Sequence, residues 1–315
     1  MTGLPKHYTD HCLFQLYLNK TLHAVHQGNV RNLLVNRYLS FAPSIYQEQG
    51  RHFYMIKDIP DYLDFQKHVP MDWGIISVPQ YNGHLVNLFP FQNLSEYLNN
   101  QLSKRNIKNL RSKKKKLESL GGIEYKVLSG DLAESEYEKI FDHFKELLSK
   151  RFDQKGILNR DLSQWQQLYG FTLPKLRADE AKLFIIYKDE LPLCIALNYI
   201  VDHVMFSHIQ TYDIDYATYN LGDIHMQFQL EWCFSNNIYI YDVSKGTNPY
   251  KEKWCNHRYR LFHEIVYSKK SVAGIIKAKS KKIELNILQW FRNMGVLGNL
   301  IQVDKWLYAI NKWRK

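Results

Sequence analysis

The sequence predicts a mixed α/β (α+β) fold, a mainly antiparallel sheet flanked by helices. Three observations carry it. Residues 181–212, "AKLFIIYKDELPLCIALNYIVDHVMFSHIQTY", read as three short strands joined by short turns, the pattern of an antiparallel meander. A helix that is apolar over much of its circumference, "LGDIHMQFQLEWCFSNN", and a short apolar strand, "IYIYDV", follow in crossover order. Ahead of the meander, "DLAESEYEKIFDHFKELLSKRF" has a clear helical stripe of Tyr137, Ile140, Phe141, Phe144 and Leu148, with acids crowding its first turn.

The elements can be justified in order. "CLFQLYL" fits a helix or a strand. "RHFYMIKDIP", "WGIISVP" and "GHLVNLFPF" read as three short strands, the first two closed by prolines. "NLSEYLNNQL" opens a helix, with Asn93 as N-cap and Glu96 three residues on. The next helix, "LSKRNIKNLRSKKKKLESL", ends at Gly121-Gly122 and buries Ile107, Leu110, Leu117 and Leu120. "GIEYKVLS" is a strand, and "LSQWQQLYGFTLPKL" a helix that should break or end near Pro174. The meander turns fall at Asp189-Glu190 and near Asp202-His203. "RLFHEIVYS" adds a late strand, and the tail from Val272, with Trp290, Phe291 and Trp306 among lysines, is mostly helical. The expected division is an N-terminal partial lobe over 1–95, a main domain over 96–268 and a helical tail over 269–315.

The chain has 315 residues, 45% of them hydrophobic, enough for a sizeable core. Lysine and arginine number 42 against 31 acids, a formal charge of +11, which favours anionic partners. The four cysteines, Cys12, Cys194, Cys233 and Cys255, form no C-x-x-C pair; reduced thiols in a cytoplasmic protein are expected, and no metal. "MTGLPKHYTDHC" has no apolar signal-peptide core, and no run approaches a membrane span, so no transmembrane segment is expected. P-loop, dinucleotide-binding, zinc-peptidase and nucleophile-elbow motifs are absent.

Four features bear on chemistry. Helix 104–116 carries eight Lys/Arg in thirteen residues, an anion grip or a solvated face. The turn "YNLGDIH" opens the apolar helix, so Asn220, Leu221, Gly222 and Asp223 sit where free N–H groups meet an anion, or where Asn220 merely caps the helix. Strict alternation puts His208, Gln210 and Tyr212 on one strand face, a cleft lining with His208 as proton acceptor, or a partly exposed face. "YDVSKGTNPYKEKW" ends the apolar strand on Asp242, relaxes at Gly246 and presents Tyr250 and Lys251. An Asp242–Lys251 pair would stabilise such a loop without any catalysis.

In order and type, "SKRNIKNLRSKKKKLESLGG", "LLSKRFDQKG", the meander with its helix, and "YDVSKGTNPYKEKW" resemble the GNAT-fold acyltransferases over roughly residues 100 to 265. More closely they are similar to the cellulose-biosynthesis (CelD/BcsL-type) branch, related to the Fem-type aminoacyl transferases. The resemblance implies a GNAT-like sheet with a smaller, degenerate N-terminal GNAT-like lobe. It also implies an acyl-CoA donor, acetyl-CoA or another, lying in a V-shaped split between two strands, its pyrophosphate on the helix that begins at Leu221. The family's R/Q-x-x-G-x-G/A loop is not intact; "YNLGD" stands in its place. The implied reaction is direct transfer, in a ternary complex, to an amine or hydroxyl of a sugar, polysaccharide or cell-envelope precursor. His208 is the expected base and Tyr250 the expected acid, with Asp242 the third expected catalytic residue; Asp242 and Lys251, with Gln210, Tyr212 and Gly246, would shape the acceptor pocket, and Lys113 and Lys114 would hold donor phosphates. The alternatives are Fem-type transfer from aminoacyl-tRNA, with tRNA as partner, or a non-catalytic GNAT-derived protein that binds anionic glycan or lipid at the inner membrane face.

Overall fold

The computed structural model describes residues 4–5, 8–41, 52–296, 305, 308 and 309; Trp306 and most of the expected tail beyond 296 lie outside them. The chain opens with α1 (Cys12–Tyr17), β1 (His26–Asn32), β2 (Arg37–Leu39), β3 (Phe53–Pro60), β4 (Leu63–Lys67) and β5 (Trp73–Asn87). There follow α2 (Leu94–Gln101), α3 (Lys104–Glu118), β6 (Ile123–Leu128), α4 (Glu134–Lys155), α5 (Arg160–Ser163) and α6 (Trp165–Arg177). Next come β7 (Ala181–Lys188), β8 (Leu191–Val201), β9 (Val204–Tyr212) and a 3-10 helix (Ile214–Tyr219). The last described elements are α7 (Leu221–Ser235), β10 (Ile240–Lys245), α8 (Pro249–Trp254), β11 (His257–Ser268) and α9 (Val272–Asn293).

Eight strands form one sheet in the order β3-β11-β5-β10-β9-β8-β7-β6, and every pairing is antiparallel except β10 with β9. The expected meander is β7-β8-β9. Its first turn has Asp189 and Glu190 both at positive φ (47° and 69°), the backbone that a two-residue hairpin needs. The expected crossover is β9-α7-β10, and it supplies the one parallel pair. Helices flank the sheet on both faces, so this is the mixed, mostly antiparallel fold that the sequence predicts.

Several expectations are corrected. The strands expected at "WGIISVP" and "GHLVNLFPF" are one strand, β5. Pro79 does not close it, because the register with β11 shifts between Arg260 and Phe262 and the bulge absorbs the missing N–H. α6 runs past Pro174 to Arg177, since a proline so near the helix end removes a single donor. Leu120, expected on the buried stripe of α3, lies beyond the helix and is exposed. The sheet also runs across the boundary expected at residue 95: β3 and β5 pair with β11, and β5 pairs with β10. The small sheet β2-β1-β4 had no clear signal, being rich in Asn, Gln and Arg.

Two large cores lie against the sheet, and a third, smaller one of Val78, Ile265, Ala278 and Leu285 packs α9 on it. One face packs α1, α4 and α6 through Leu16, Tyr17, Tyr137, Phe141, Phe144 and Leu176. The other packs α2, α3, α7 and α8 through Tyr97, Leu110, Leu117, Ile224, Leu230 and Trp254. The four cysteines are buried and free.

Candidate active site

β9 and β10 run side by side only from Val204–Ile240 to Phe206–Asp242. Beyond that, β9 stays with β8 out to Tyr212, while β10 stays with β5. The sheet therefore splits at the carboxyl ends of two parallel strands, where crossover sheets place ligands. A cleft of about 310 Å³ opens there. Gln210 and Tyr212 of β9, Asn220 to Asp223 at the start of α7, and Tyr250 of α8 line it, joined by Ala217 and Arg151. Sequence reasoning named seven of these residues from three separate segments.

The turn before α7 exposes its donors. Asn220 adopts a left-handed backbone (φ 62°, ψ 40°), and its side chain caps no N–H but donates to the Asp223 carboxylate at 2.6 Å. The Asn220 carbonyl accepts from Asp223 and Ile224. The Leu221 and Gly222 N–H groups bond to no acceptor among the described residues, so they stay available to an anion at the positive end of the helix. A Cβ at Gly222 would meet only Tyr250, at 3.8 Å. Lys113 Nζ donates to the Thr218 carbonyl at 2.7 Å, which brings a charge from α3 to this turn. Lys116 lies over the Tyr219 ring. Lys114, expected to act with Lys113, instead lies over Tyr125 and beside Glu118, away from the turn. Asp223 is held by Trp254 Nε1 at 2.7 Å and by Lys253, so its charge is answered from α8.

Tyr250 is half-buried against the same helix end, its hydroxyl donating to the Gly222 carbonyl at 3.0 Å. Burial pushes its phenol well above the ordinary value, so it keeps its proton at neutral pH. Lys251 points elsewhere: Nζ donates to the carbonyls of Ser244 (3.1 Å) and Lys245 (2.6 Å). Burial pulls the Lys251 ammonium down to about 8, and the nearby Asp242 charge opposes that shift. The direct Asp242–Lys251 pair is replaced by these carbonyl bonds. Asp242 itself is fully buried and accepts from Tyr62 (2.7 Å), Tyr259 (2.8 Å) and the Ser244 N–H (2.7 Å). Burial raises its pKa; Tyr62, Ser244 and Tyr259 pull it back. Gly246, at φ 91°, makes the left-handed turn that follows and donates to the Asn82 carbonyl.

His208 does not share a face with Gln210 and Tyr212. The β8–β9 register shifts between Leu197–Ile209 and Asn198–Ser207, so His208 is the extra residue of a bulge. Gln210 reaches His225 of α7 at 3.1 Å, while His208 Nε2 meets the Tyr8 hydroxyl at 3.0 Å and its ring packs on Phe14 and Tyr199. Alternation fails because one residue is added, which sends His208 through to the α1 and α4 face.

Two parts of the region went unnamed in the sequence. Arg151, from α4, donates to the Gln210 carbonyl at 3.0 Å and stacks its guanidinium on Tyr212, 4.3 Å from the ring centre. The second part is a charged cluster at the far end of β10. His11 Nδ1 donates to Asp58 at 2.6 Å, and Lys245 Nζ donates to the same carboxylate at 2.7 Å. His263 Nδ1 accepts from the Asp58 N–H at 3.2 Å. Burial would raise Asp58, but the His11 hydrogen bond and the Lys245 charge hold it well below the usual carboxylate range. Burial pushes His263 down to about 4. Asp58 sits at φ 57°, in a bulge of β3 opposite β11. No short motif could reveal a cluster drawn from residues 11, 58, 245 and 263. Among the described residues no group of His, Cys, Asp and Glu could hold a metal ion.

Residues 104–252 match the family model described as an acetyltransferase (GNAT) domain. Over that stretch, a little under half of its length, the chain is similar to GNAT acetyltransferase domains. The match starts at the first residue of α3 and ends inside α8, so it contains the split, the α7 turn and Tyr250. No curated protein matches the chain. Similar solved structures include a conserved protein of unknown function from Bacteroides thetaiotaomicron VPI-5482, at 9% identity and TM-score 0.43, covering 64% of each chain. L-PGS from Bacillus licheniformis aligns at 12% identity and TM-score 0.41, covering 67% of each chain. FemX aligns at 13% identity and TM-score 0.43, covering 59% of this chain and 61% of its own. The chain thus spans 61% to 67% of the length of these structures.

Proposed function

We propose that the protein is a cytoplasmic acyl-CoA-dependent N- or O-acyltransferase. Its acceptor is an amine or hydroxyl of a sugar, polysaccharide or cell-envelope precursor, as in the CelD/BcsL-type branch that the sequence resembles. One observation carries the donor side: the unpaired N–H groups of Leu221 and Gly222 face a cleft at the split of two parallel strands, inside the matched domain. This fits a pyrophosphate despite the imperfect loop motif, because backbone N–H groups and the helix dipole do the binding and need no particular side chain. Lys113 adds a charge at the same turn.

Transfer then needs little covalent work from the protein. The acceptor's nitrogen or oxygen forms a bond to the acyl carbon, the carbon–sulfur bond breaks, and most of the gain is proximity. Tyr250, protonated and at the cleft wall, gives its proton to the departing thiolate. His208, carried by the bulge to the opposite face of the split, takes the acceptor's proton. A second assignment for the base has its own support: His11 and Asp58 form a His–carboxylate pair at a backbone position of positive φ, of the kind held at functional sites. The pH profiles of His208→Gln and His11→Gln separate the two, since only the true base removes the acid limb of kcat/KM.

Calorimetric titration with acetyl-CoA tests the donor. Saturable binding that weakens when Lys113 is removed supports this reading, and no heat at millimolar ligand ends it. Fem-type transfer from aminoacyl-tRNA is the second reading, favoured by the basic face of α3 beside the α7 turn. A gel shift with charged tRNA across a salt series decides it, because phosphate contacts weaken steeply with salt.

A further inference from the structure

The helix α9 is inside out. Its buried line is small: Gly274, Ala278 and, further on, Leu285 pack on β3, β5 and β11. A Cβ at Gly274 would stand 2.8 Å from the His52 carbonyl, so this approach requires glycine. The large apolar residues point the other way. Val272, Ile276, Ile283, Ile287, Trp290 and Met294 recur at helical spacing and are 49% to 72% exposed. Such a stripe, about 33 Å long at 1.5 Å per residue, is more than scattered surface residues, and an exposed apolar patch of that extent marks a contact surface.

The charges beside the stripe decide what it contacts. Lys277, Lys279 and Lys282 flank it and are exposed, Lys269 and Lys270 precede it, and Glu284 is the helix's one acid. A second copy docked on this stripe would bring two rows of lysine together at close range. A surface of anionic headgroups would answer them, while the isoleucines and Trp290 enter the boundary beneath. A basic helix with Trp, Phe and Ile on one side is the composition of an interfacial helix. No described helix is long and apolar enough to cross a membrane, so α9 would lie on the surface.

We propose that the outward face of α9 is a docking surface for an anionic lipid bilayer. The stripe is separate from the cleft, so the proposal stands or falls independently of acyl transfer. The test is flotation of the full chain with vesicles of phosphatidylcholine alone, and with vesicles that also contain phosphatidylglycerol. The wild-type protein floats with the anionic vesicles and stays behind with the neutral ones. The triple variant Ile283→Ser, Ile287→Ser, Trp290→Ser loses at least about 10-fold in partitioning. Its circular dichroism and thermal midpoint stay near wild type, because the three side chains are already in water. Lys277→Glu with Lys279→Glu and Lys282→Glu also abolishes flotation. A wild-type protein that stays soluble with both vesicle types at low salt overturns the proposal. So does sedimentation showing a dimer that the triple variant dissociates, which would make a second copy the occupant. Acetyl-CoA calorimetry on the same variants should be unchanged, which keeps this test apart from that of the cleft.

Discussion

Asp242 and Tyr250 lie eight residues apart in one stretch of sequence, yet the fold uses them in opposite ways. Asp242, the last β10 residue paired with β9, faces the α1 core, closed off by two tyrosine hydroxyls and a backbone N–H. Tyr250 faces the α7 side, at the wall of an open cleft, with one hydrogen bond to a helix carbonyl. A buried carboxylate that accepts three donors fixes the ends of β4, β10 and β11. A half-buried phenol at a cleft wall is a group held ready. The difference teaches that position in a motif does not settle role: the number of partners and the access to solvent do.

The largest expected effect tests the first half of that contrast. Asp242→Ala leaves Tyr62, Tyr259 and the Ser244 N–H without their acceptor, at about 1–3 kcal/mol for each unsatisfied group before relaxation. A loss of about 3–5 kcal/mol is expected in urea unfolding, with activity falling as the loop loosens. A variant of wild-type stability would show that the tyrosines find other partners and that Asp242 does not anchor the strand.

Tyr250→Phe tests the second half. It removes one hydroxyl and little volume, so stability should change by only about 1 kcal/mol. Turnover should fall by about 10²-fold, the lower range for a positioned acid, which is about 2.7 kcal/mol on the barrier. Full activity in this variant would turn Tyr250 into a packing residue like Asp242 and erase the contrast.

Much of the cleft was legible in the sequence. Gln210 and Tyr212, the Asn220–Asp223 turn and Tyr250 could be named because strand alternation, helix starts and strand ends are local patterns. The illegible parts depend on distant chain. The bulge at His208 is a register fact between β8 and β9. Arg151 reaches the cleft from a helix some sixty residues earlier and bonds a backbone carbonyl, which no side-chain pattern records. The pairing of β5 with β10, which carries the sheet across residue 95, likewise has no local signature. For α9 the sequence showed lysines mixed with large apolar residues, and only the packing of Gly274 and Ala278 on the sheet shows which of them face out.

Lys251 sharpens the comparison through pH. Its folded pKa, about 8, lies below the ordinary lysine value of 10.5. The unfolded chain therefore binds the extra proton between those values, and stability rises with pH across that window. A shift of this size corresponds to about 3 kcal/mol at the top of the window. The urea midpoint should climb from pH 8 to 10 in the wild-type protein, and the climb should flatten in Lys251→Met. An equal climb in both would assign the pH dependence to other groups.

The smallest effect separates two neighbouring lysines. Lys113 reaches the Thr218 carbonyl beside the α7 turn, and Lys114 reaches Tyr125 and Glu118. If Lys113 meets donor phosphates equally in ground and transition states, Lys113→Ala raises the donor KM with kcat nearly unchanged. An exposed contact of this kind contributes about 0.5–1 kcal/mol, so a rise of roughly two- to fivefold is expected. Lys114→Ala should leave both constants where they are. Equal effects from the two substitutions would mean that α3 acts through its summed field, so that the carbonyl contact seen for Lys113 is not what brings the charge to the donor.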